Sequence, residues 1–412
     1  VWGGTDVRPA LRIKVAARGA DASFPGAGPN DMHDPRQLLE LHLRTRLVFE
    51  CGGLRHLGKL ARELGGQRVL VVTDRGVAVA GHLARAEALL TAAGLAVAAF
   101  DAVHENPTTL DVDACVAAAR AHEADLLIGL GGGSAMDTAK GANFLLTQGG
   151  AVRDFWGVGK ATQPMLPFMA IPTTAGTGSE VQCAALIADA ETHQKMACLD
   201  VKAAARIALL DPELTLTQPP RVTACTGLDA LAHALEAAVT RERNWISDWF
   251  AREAFRRLWP AFPRVLAAPG DLAARGEMLL GAAFAGWAIE HSMLGAAHAL
   301  ANPLTAHCGL IHGHAVGLVL PHVVRFNAGA RDAAATYEEL ARASGLPPGT
   351  SLADALGEPL ALAGLGTRLR DCGVMQAGLP ALAAEAGQQW TARFNPRPVA
   401  AAELQRLYEA AW

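Results

Sequence analysis

Within ACTGLDALAHALEAAVT (224–240) three side chains are carboxylates or imidazoles: Asp229, His233 and Glu236. Most of the remainder is Ala and Leu. Asp229 and His233 are four apart, so on a helix they stack on one face. Burying a carboxylate without a partner is costly, and a cation would offset that cost. A hydrogen-bonded Asp–His pair is the other reading of these two residues. The histidines are unevenly spread: His291, His298, His307, His312, His314 and His322 crowd one short region. His298 lies on an Ala/Leu-rich helix that Pro303 is expected to end, and His312 at the start of the next helix. One carboxylate with three imidazoles makes an N3O set suited to Fe(II) or Zn(II), with a coordination position open to a substrate oxygen. Taken singly, His307, His314 and His322 read as structural or solvated.

Two loops could hold phosphate. GLGGGSAMDTAK (129–140) follows the apolar run ADLLI and precedes a helical pattern. Glycines there let an anion approach bare backbone, and the helix N-terminus adds free amides. Ser134 could donate to such an anion or cap the helix. The spacing matches neither GxGxxG nor the P-loop, and a tight packing turn is the alternative. PTTAGTGSE (172–180) gathers Thr173, Thr174, Thr177 and Ser179 around two glycines, a composition suited to phosphate or ribose. Asp74 ends an apolar strand, where it could accept from a ribose and disfavour a 2′-phosphate. It precedes the glycine loop instead of following it, so the ordinary dinucleotide arrangement does not apply. A solvated strand-end aspartate is the other reading.

These residues need elements to position them. Between Phe49 and Leu210 short apolar runs alternate with amphipathic stretches: strands over 67–74, 95–103 and 167–174 and at ADLLIG, and helices over 82–94 and 109–124. Such alternation predicts a parallel sheet covered on both faces. Beyond DPELTLTQPP (211–220) helical periodicity dominates (226–239, 247–262, 272–289, 401–412), with no strand predicted. The predicted organisation is an N-terminal extension over 1–44, with 1–31 disordered or upstream of the native start. An α/β domain over 45–216 and an all-α domain over 217–412 follow.

A net charge of −4 and 18% charged residues exclude a basic nucleic-acid surface. No apolar run approaches the roughly 20 residues of a membrane helix. Seven cysteines, widely spaced and without CxxC, fit a reducing, cytoplasmic setting.

Together GGGSAMDTAK, PTTAGTGSEV, TGLDALAHALE and GAAH…HGHAVGLVLPHVVRFN resemble the iron-containing (group III) alcohol dehydrogenase family. ENPTT (105–109) and NPRPV…LYEAAW add to the likeness, which runs from about residue 45 to 412. The resemblance implies a Rossmann-like, dehydroquinate synthase-like α/β domain, an all-α metal-binding domain, and an active site in the cleft between them. It implies NAD and a divalent metal, Fe(II) ahead of Zn(II), and a small alcohol or aldehyde as substrate. Carried over by position, the metal ligands are Asp229, His233, His298 and His312. Pyrophosphate falls to Gly131, Gly132, Gly133 and Ser134. Further cofactor positions are Asp74, Asn106, Thr173, Thr174, Thr177, Ser179 and Lys195, and Asp137 is the acid beside the nicotinamide.

One position departs from the family. Asn302 stands where many members have the second histidine of HxxxH. A carboxamide cannot relay a proton by titrating. Water, a cofactor hydroxyl, or His291 or His307 would then serve, and Asp137, Asn302 and His291 are the candidate catalytic residues. Rival readings are a metal-independent keto-acid (maleylacetate-type) reductase, a dehydroquinate-synthase-like lyase and a nucleotide-binding relative impaired by Asn302. The sequence leaves oligomeric state open, a homodimer or larger homo-oligomer being admissible.

Overall fold

The computed structural model describes residues 43–192 and 194–412. Expectations for the extension, 1–31 included, lie outside the described residues apart from Leu43 and Arg44.

Nine strands occur among the described residues: β1 (Arg46–Phe49), β2 (Arg68–Val72), β3 (Ala96–Phe100), β4 (Leu126–Gly131), β5 (Gly157–Val158), β6 (Phe168–Pro172), β7 (Ala184–Ala188), β8 (Lys195–Leu199) and β9 (Ile207–Leu210). Six form one parallel sheet in the order β1-β9-β6-β4-β2-β3. The strand run VLVV of β2 is apolar throughout because both faces are covered. Leu70 and Val72 face one core, Val69 and Val71 the other. The reading from periodicity found β2, β3, β4 and β6. It missed β1 and β9, four-residue runs too short to show a period. The three-stranded sheet β5-β8-β7 was also missed; in it β7 and β8 pair antiparallel.

The helices α1 (Leu57–Glu63), α2 (Arg75–Val79), α3 (His82–Ala92), α4 (Thr109–His122) and α5 (Gly133–Gln148) connect the strands. The chain leaves β2 for β3 on one side, then returns to β4 on the other. Adjacent connections therefore diverge at the carboxyl ends of β2 and β4, which opens a crevice there. Asp74 follows β2 and the triple glycine closes β4, so both belong to that crevice.

After β9 no further strand appears among the described residues. The changeover falls between Leu210 and Pro220, where α6 (Pro220–Val239) begins. It is followed by α7 (Trp245–Ala267), α8 (Leu272–Glu290), α9 (Ala296–Cys308) and α10 (His312–Asn327). From Leu228 to Val239 every residue of α6 is buried. Its alanines let α7, α8 and α10 close on it from several sides, forming a single helical core. Pro303 does not end α9, contrary to expectation: the helix continues to Cys308 and stops at Gly309, whose φ of 66° is left-handed. A proline forfeits one backbone hydrogen bond, and here the flanking turns of the buried helix hold without it.

The halves are tied beneath the crevice. Glu290 at the end of α8 accepts from the Cys183 amide, 3.1 Å away. Within the helical half, Arg275 of α8 donates to Gln218 and Thr223 and so fixes the start of α6, where the chain enters from the sheet.

Candidate active site

A cleft of about 1020 Å³ runs between the halves. Its walls carry the loops after β2, β4 and β6 on one side and α6, α9 and α10 on the other.

Helix α6 delivers Asp229 and His233, α9 delivers His298, and α10 opens with His312. Their imidazoles converge on one oxygen. From Asp229 Oδ1 the distances are 3.3 Å to His298 Nε2, 3.4 Å to His233 Nε2 and 3.8 Å to His312 Nε2. One ligand atom each from Asp229, His298 and His312 lies within 4.8 Å of the others. His233 stacks on His298 with centroids 4.7 Å apart. Ligand atoms about 2.1 Å from a common tetrahedral centre stand roughly 3.4 Å apart. Asp229, His298 and His312 therefore fit a divalent cation, and His233 stands beside them, 3.4 Å from Asp229 Oδ1. The electrostatics agree. Burial works against charge on Asp229, but His233, the His298 hydrogen bond and His312 outweigh it and hold the carboxyl well below its usual range. Burial lowers His233 and His312, which keeps those rings neutral and able to ligate.

Glu236, singled out in the sequence but given no role there, lies one helical turn beyond His233. Its Oε2 is 2.5 Å from His298 Nδ1, and its Oε1 accepts from the Ala297 amide at 2.6 Å. His298 bridges the two carboxylates, Nδ1 to Glu236 and Nε2 to Asp229, and against burial they raise its ring to about 9. A cation beside Asp229 would take the place of the Nε2 proton and leave Nδ1–H on Glu236, the carboxylate–histidine support common behind metal ligands. The signal was a third charged residue in an otherwise apolar helix.

The glycine loop meets the second loop at α5. A Cβ on Gly133 would come within 2.9 Å of Thr177, so only glycine lets the helix start close against that loop. The N-cap is Gly132 and has no side-chain capping bond. Ser134 therefore does not cap the helix, since it sits inside the first turn, and the uncapped amides stay available at the cleft. Gly176 similarly presses its loop on α6, where a Cβ would lie 2.5 Å from Thr226. Asp74 spends Oδ1 capping α2 through the Val77 amide at 3.0 Å. Its other oxygen faces Gly131, lying 3.4 Å from where a Cβ would stand. These amides, the glycine-bare approach and the spare carboxylate oxygen fit a dinucleotide.

Other expected residues are sorted by the fold. Asn106, Gly132, Gly133, Ser134, Thr173, Thr174, Thr177 and Lys195 line the cleft. Asn106 adopts a left-handed φ of 53°. Lys195 is exposed to the cleft, yet surrounding protein lowers its ammonium, with Asp137 and Asp229 opposing. Asp137 also reaches the cleft, with its oxygens engaged. It accepts from Ser179 Oγ at 2.7 Å and from the Leu186 amide at 3.3 Å. Lys140, buried completely, donates to Ser179 Oγ and to the carbonyls of Ser179 and Ala184. The Ser179 hydroxyl is thus committed internally. Asn302 lies one turn beyond His298 and donates to Gln389 Oε1 at 3.0 Å. His291 is a correction: it does not line the cleft. It caps α8 and stacks near Phe250, and burial pushes it down to about 4. His307 is exposed and paired with Glu385, also away from the cleft.

Comparison with known proteins agrees with this geometry. The model for "Iron-containing alcohol dehydrogenase" matches residues 44–212, and that for "Fe-containing alcohol dehydrogenase family, C-terminal" matches 223–412. Lactaldehyde reductase of Escherichia coli (strain K12) is 34% identical over 374 residues, 88% of this chain and 97% of the relative. A crystal structure of 1,3-propanediol oxidoreductase superposes with a TM-score of 0.87 at 30% identity, covering 91% of this chain and 100% of the other. Sulfoacetaldehyde reductase from Bifidobacterium kashiwanohense, in complex with NAD+, gives 0.83 at 29% identity, with 91% and 99% covered. The chain belongs to the iron-containing alcohol dehydrogenase family, NAD-linked oxidoreductases of alcohols and aldehydes. The metal-independent reading is not favoured.

Proposed function

We propose that the chain interconverts a small alcohol and its aldehyde or ketone, using NAD(H) bound at the β2/β4 crevice and a divalent ion held by Asp229, His233, His298 and His312. The observation that carries this reading is the convergence of three Nε2 atoms on Asp229 Oδ1 in the wall of the cleft that also holds the uncapped α5 amides. When bound, the ion supplies Lewis-acid polarisation of the substrate oxygen and the nicotinamide supplies the hydride acceptor.

The chain's own residues do the rest. Glu236 holds His298 in the ligating tautomer. Gly131, Gly132 and Gly133 with Ser134 receive pyrophosphate on backbone amides, and the free oxygen of Asp74 receives the adenosine ribose. Asn106, Thr173, Thr174 and Thr177 flank that path. Lys140 and Ser179 keep Asp137 fixed at the nicotinamide end, where Lys195 also opens onto the cleft. With His291 and His307 outside the cleft, and Asn302 unable to titrate, the substrate proton is left to water or a cofactor hydroxyl.

The named relatives act on small hydroxylated or otherwise polar carbonyls, which sets the size of substrate proposed here. All seven cysteines are free, consistent with work in the cytoplasm, and no described helix is long and apolar enough to cross a membrane. The test is anaerobic purification, metal analysis and NADH oxidation across short aldehydes. Asp229→Ala is expected to lose the metal together with at least about 10³-fold of activity. Full turnover by a verified metal-free Asp229→Ala would overturn the assignment.

A further inference from the structure

The metal corner of the cleft is walled by large apolar side chains that stay partly exposed to it. Leu294 stands four residues before His298, and Ile311 directly precedes His312. Trp390 follows Gln389, the residue that meets Asn302 one turn past His298. All three line the cleft. The tie between Glu290 and the Cys183 amide brings the end of α8 against the start of β7, so Ile289 and Ala184 enter the same wall. Leu186 continues that wall two residues on and is 37% exposed. Five large apolar side chains from five segments thus keep accessible surface in one concavity.

The polar side chains beside them are already engaged. Asn302 and Gln389 are turned on each other, and Gln182 donates to the Thr177 carbonyl at 3.0 Å. Asp137 accepts from Ser179 Oγ and from the Leu186 amide. Lys195, on β8, keeps a charge nearby, answered by Asp137 and Asp229. A pocket whose polar groups are few and spent recognises the body of its ligand by apolar contact. Each methylene buried in it is worth about fourfold in binding.

Resting on the alcohol–aldehyde reading above, we infer that Leu186, Ile289, Leu294, Ile311 and Trp390 form a pocket for an apolar substrate body, so that the chain prefers aliphatic and aromatic primary alcohols such as pentan-1-ol and benzyl alcohol to short diols and hydroxy acids. The one oxygen of such a substrate is used at the metal corner, and the rest of the molecule leaves water against these side chains. A second hydroxyl or a carboxylate would be desolvated there without a partner, which costs affinity. This departs from lactaldehyde, propanediol and sulfoacetaldehyde, the polar compounds for which the compared relatives are named.

The test measures kcat/KM of the metal-loaded full chain with NAD for propan-1-ol, butan-1-ol, pentan-1-ol and benzyl alcohol, beside propane-1,3-diol and 4-hydroxybutanoate. A rise of about fourfold per methylene is expected from propan-1-ol to pentan-1-ol. Benzyl alcohol is expected to exceed propane-1,3-diol by at least about 30-fold. Ile289→Asn and Trp390→Gln each put a carboxamide into a different wall. In each, the ratio of pentan-1-ol to propane-1,3-diol is expected to fall about tenfold, and if one variant does not fold the other decides. The dissociation constant of benzyl alcohol, measured without NAD by ligand-observed NMR, is expected to rise at least about fivefold in the same variants. A flat or falling chain-length series overturns the apolar pocket while leaving the alcohol dehydrogenase reading intact. So does a ratio and a dissociation constant unchanged in the folded variants. Preference for propane-1,3-diol overturns it as well, and preference for 4-hydroxybutanoate does so by giving Lys195 to the substrate. Absence of turnover with every alcohol overturns the underlying reading, and the pocket with it.

Discussion

Four residues are proposed to hold the metal, and a fifth would orient one of them. Glu236 sits 2.5 Å from His298 Nδ1, so Glu236→Gln keeps the shape while removing the charge that orients the ring. Metal affinity is expected to fall 10–100-fold, measured by competition with a chelator of known affinity; unchanged affinity would reduce Glu236 to a packing role. Asp74 is a second residue with a divided task, since one oxygen caps α2 and the other faces the glycine loop. Asp74→Gly would remove both functions. Asp74→Ser keeps a capping hydroxyl and removes only the charge that repels a 2′-phosphate. The ratio of kcat/KM for NADP to that for NAD is expected to rise about tenfold, and a flat ratio would show that Asp74 does not choose the cofactor. Asp229 and its histidines were legible from residue type and spacing alone, whereas the partner of Asn302 was not. Gln389 is 87 residues away, and no local pattern ties the two together.

At the scale of elements, α5 and the Ser179–Val181 turn act as one unit, clamped by Lys140. Glu180 is buried in that unit, and desolvation lifts its carboxyl to about 7 from 4.5, with Lys140 opposing. The folded state therefore binds this proton more tightly than the unfolded state does. That contribution is complete below pH 4.5 and is lost as the pH rises through 7. Glu180→Gln is expected to match the wild type in denaturant stability at pH 4.5 and to exceed it at pH 8 by up to about 3 kcal/mol. Equal stability at both pH values would mean that Glu180 is not desolvated. The long strands and helices were readable because their apolar period is sustained. The four-residue strands β1 and β9 were not, and α9 passes through Pro303, where the local rule predicted a stop.

At the scale of the molecule, one ion would tie α6, α9 and α10 together against a sheet whose own ligand lies across the cleft. The ligands span residues 229 to 312, so removing the metal releases three helices at once. Anaerobic chelation is expected to lower the melting temperature by several degrees, and saturating Fe(II) or Zn(II) to restore it, as mass action requires of a ligand that binds only the folded state. Indifference of the melting temperature to the metal would argue that the four side chains are pre-paired without it.

Residue chemistry and periodicity by themselves determined the order of layers and singled out the two glycine loops and the Asp and His candidates, because each is written in neighbouring residues: glycines at a strand end, an Asp and a His one turn apart, apolar runs of a given period. Only the tertiary structure decided which histidines face the cleft. His291 and His307 are closer in sequence to His298 than His312 is, yet helix direction turns His291 onto Phe250 and His307 outwards to Glu385. It likewise decided that Glu236 stands behind His298 and that Gln389 meets Asn302, since contacts between distant segments depend on how helices pack and not on what any one segment contains.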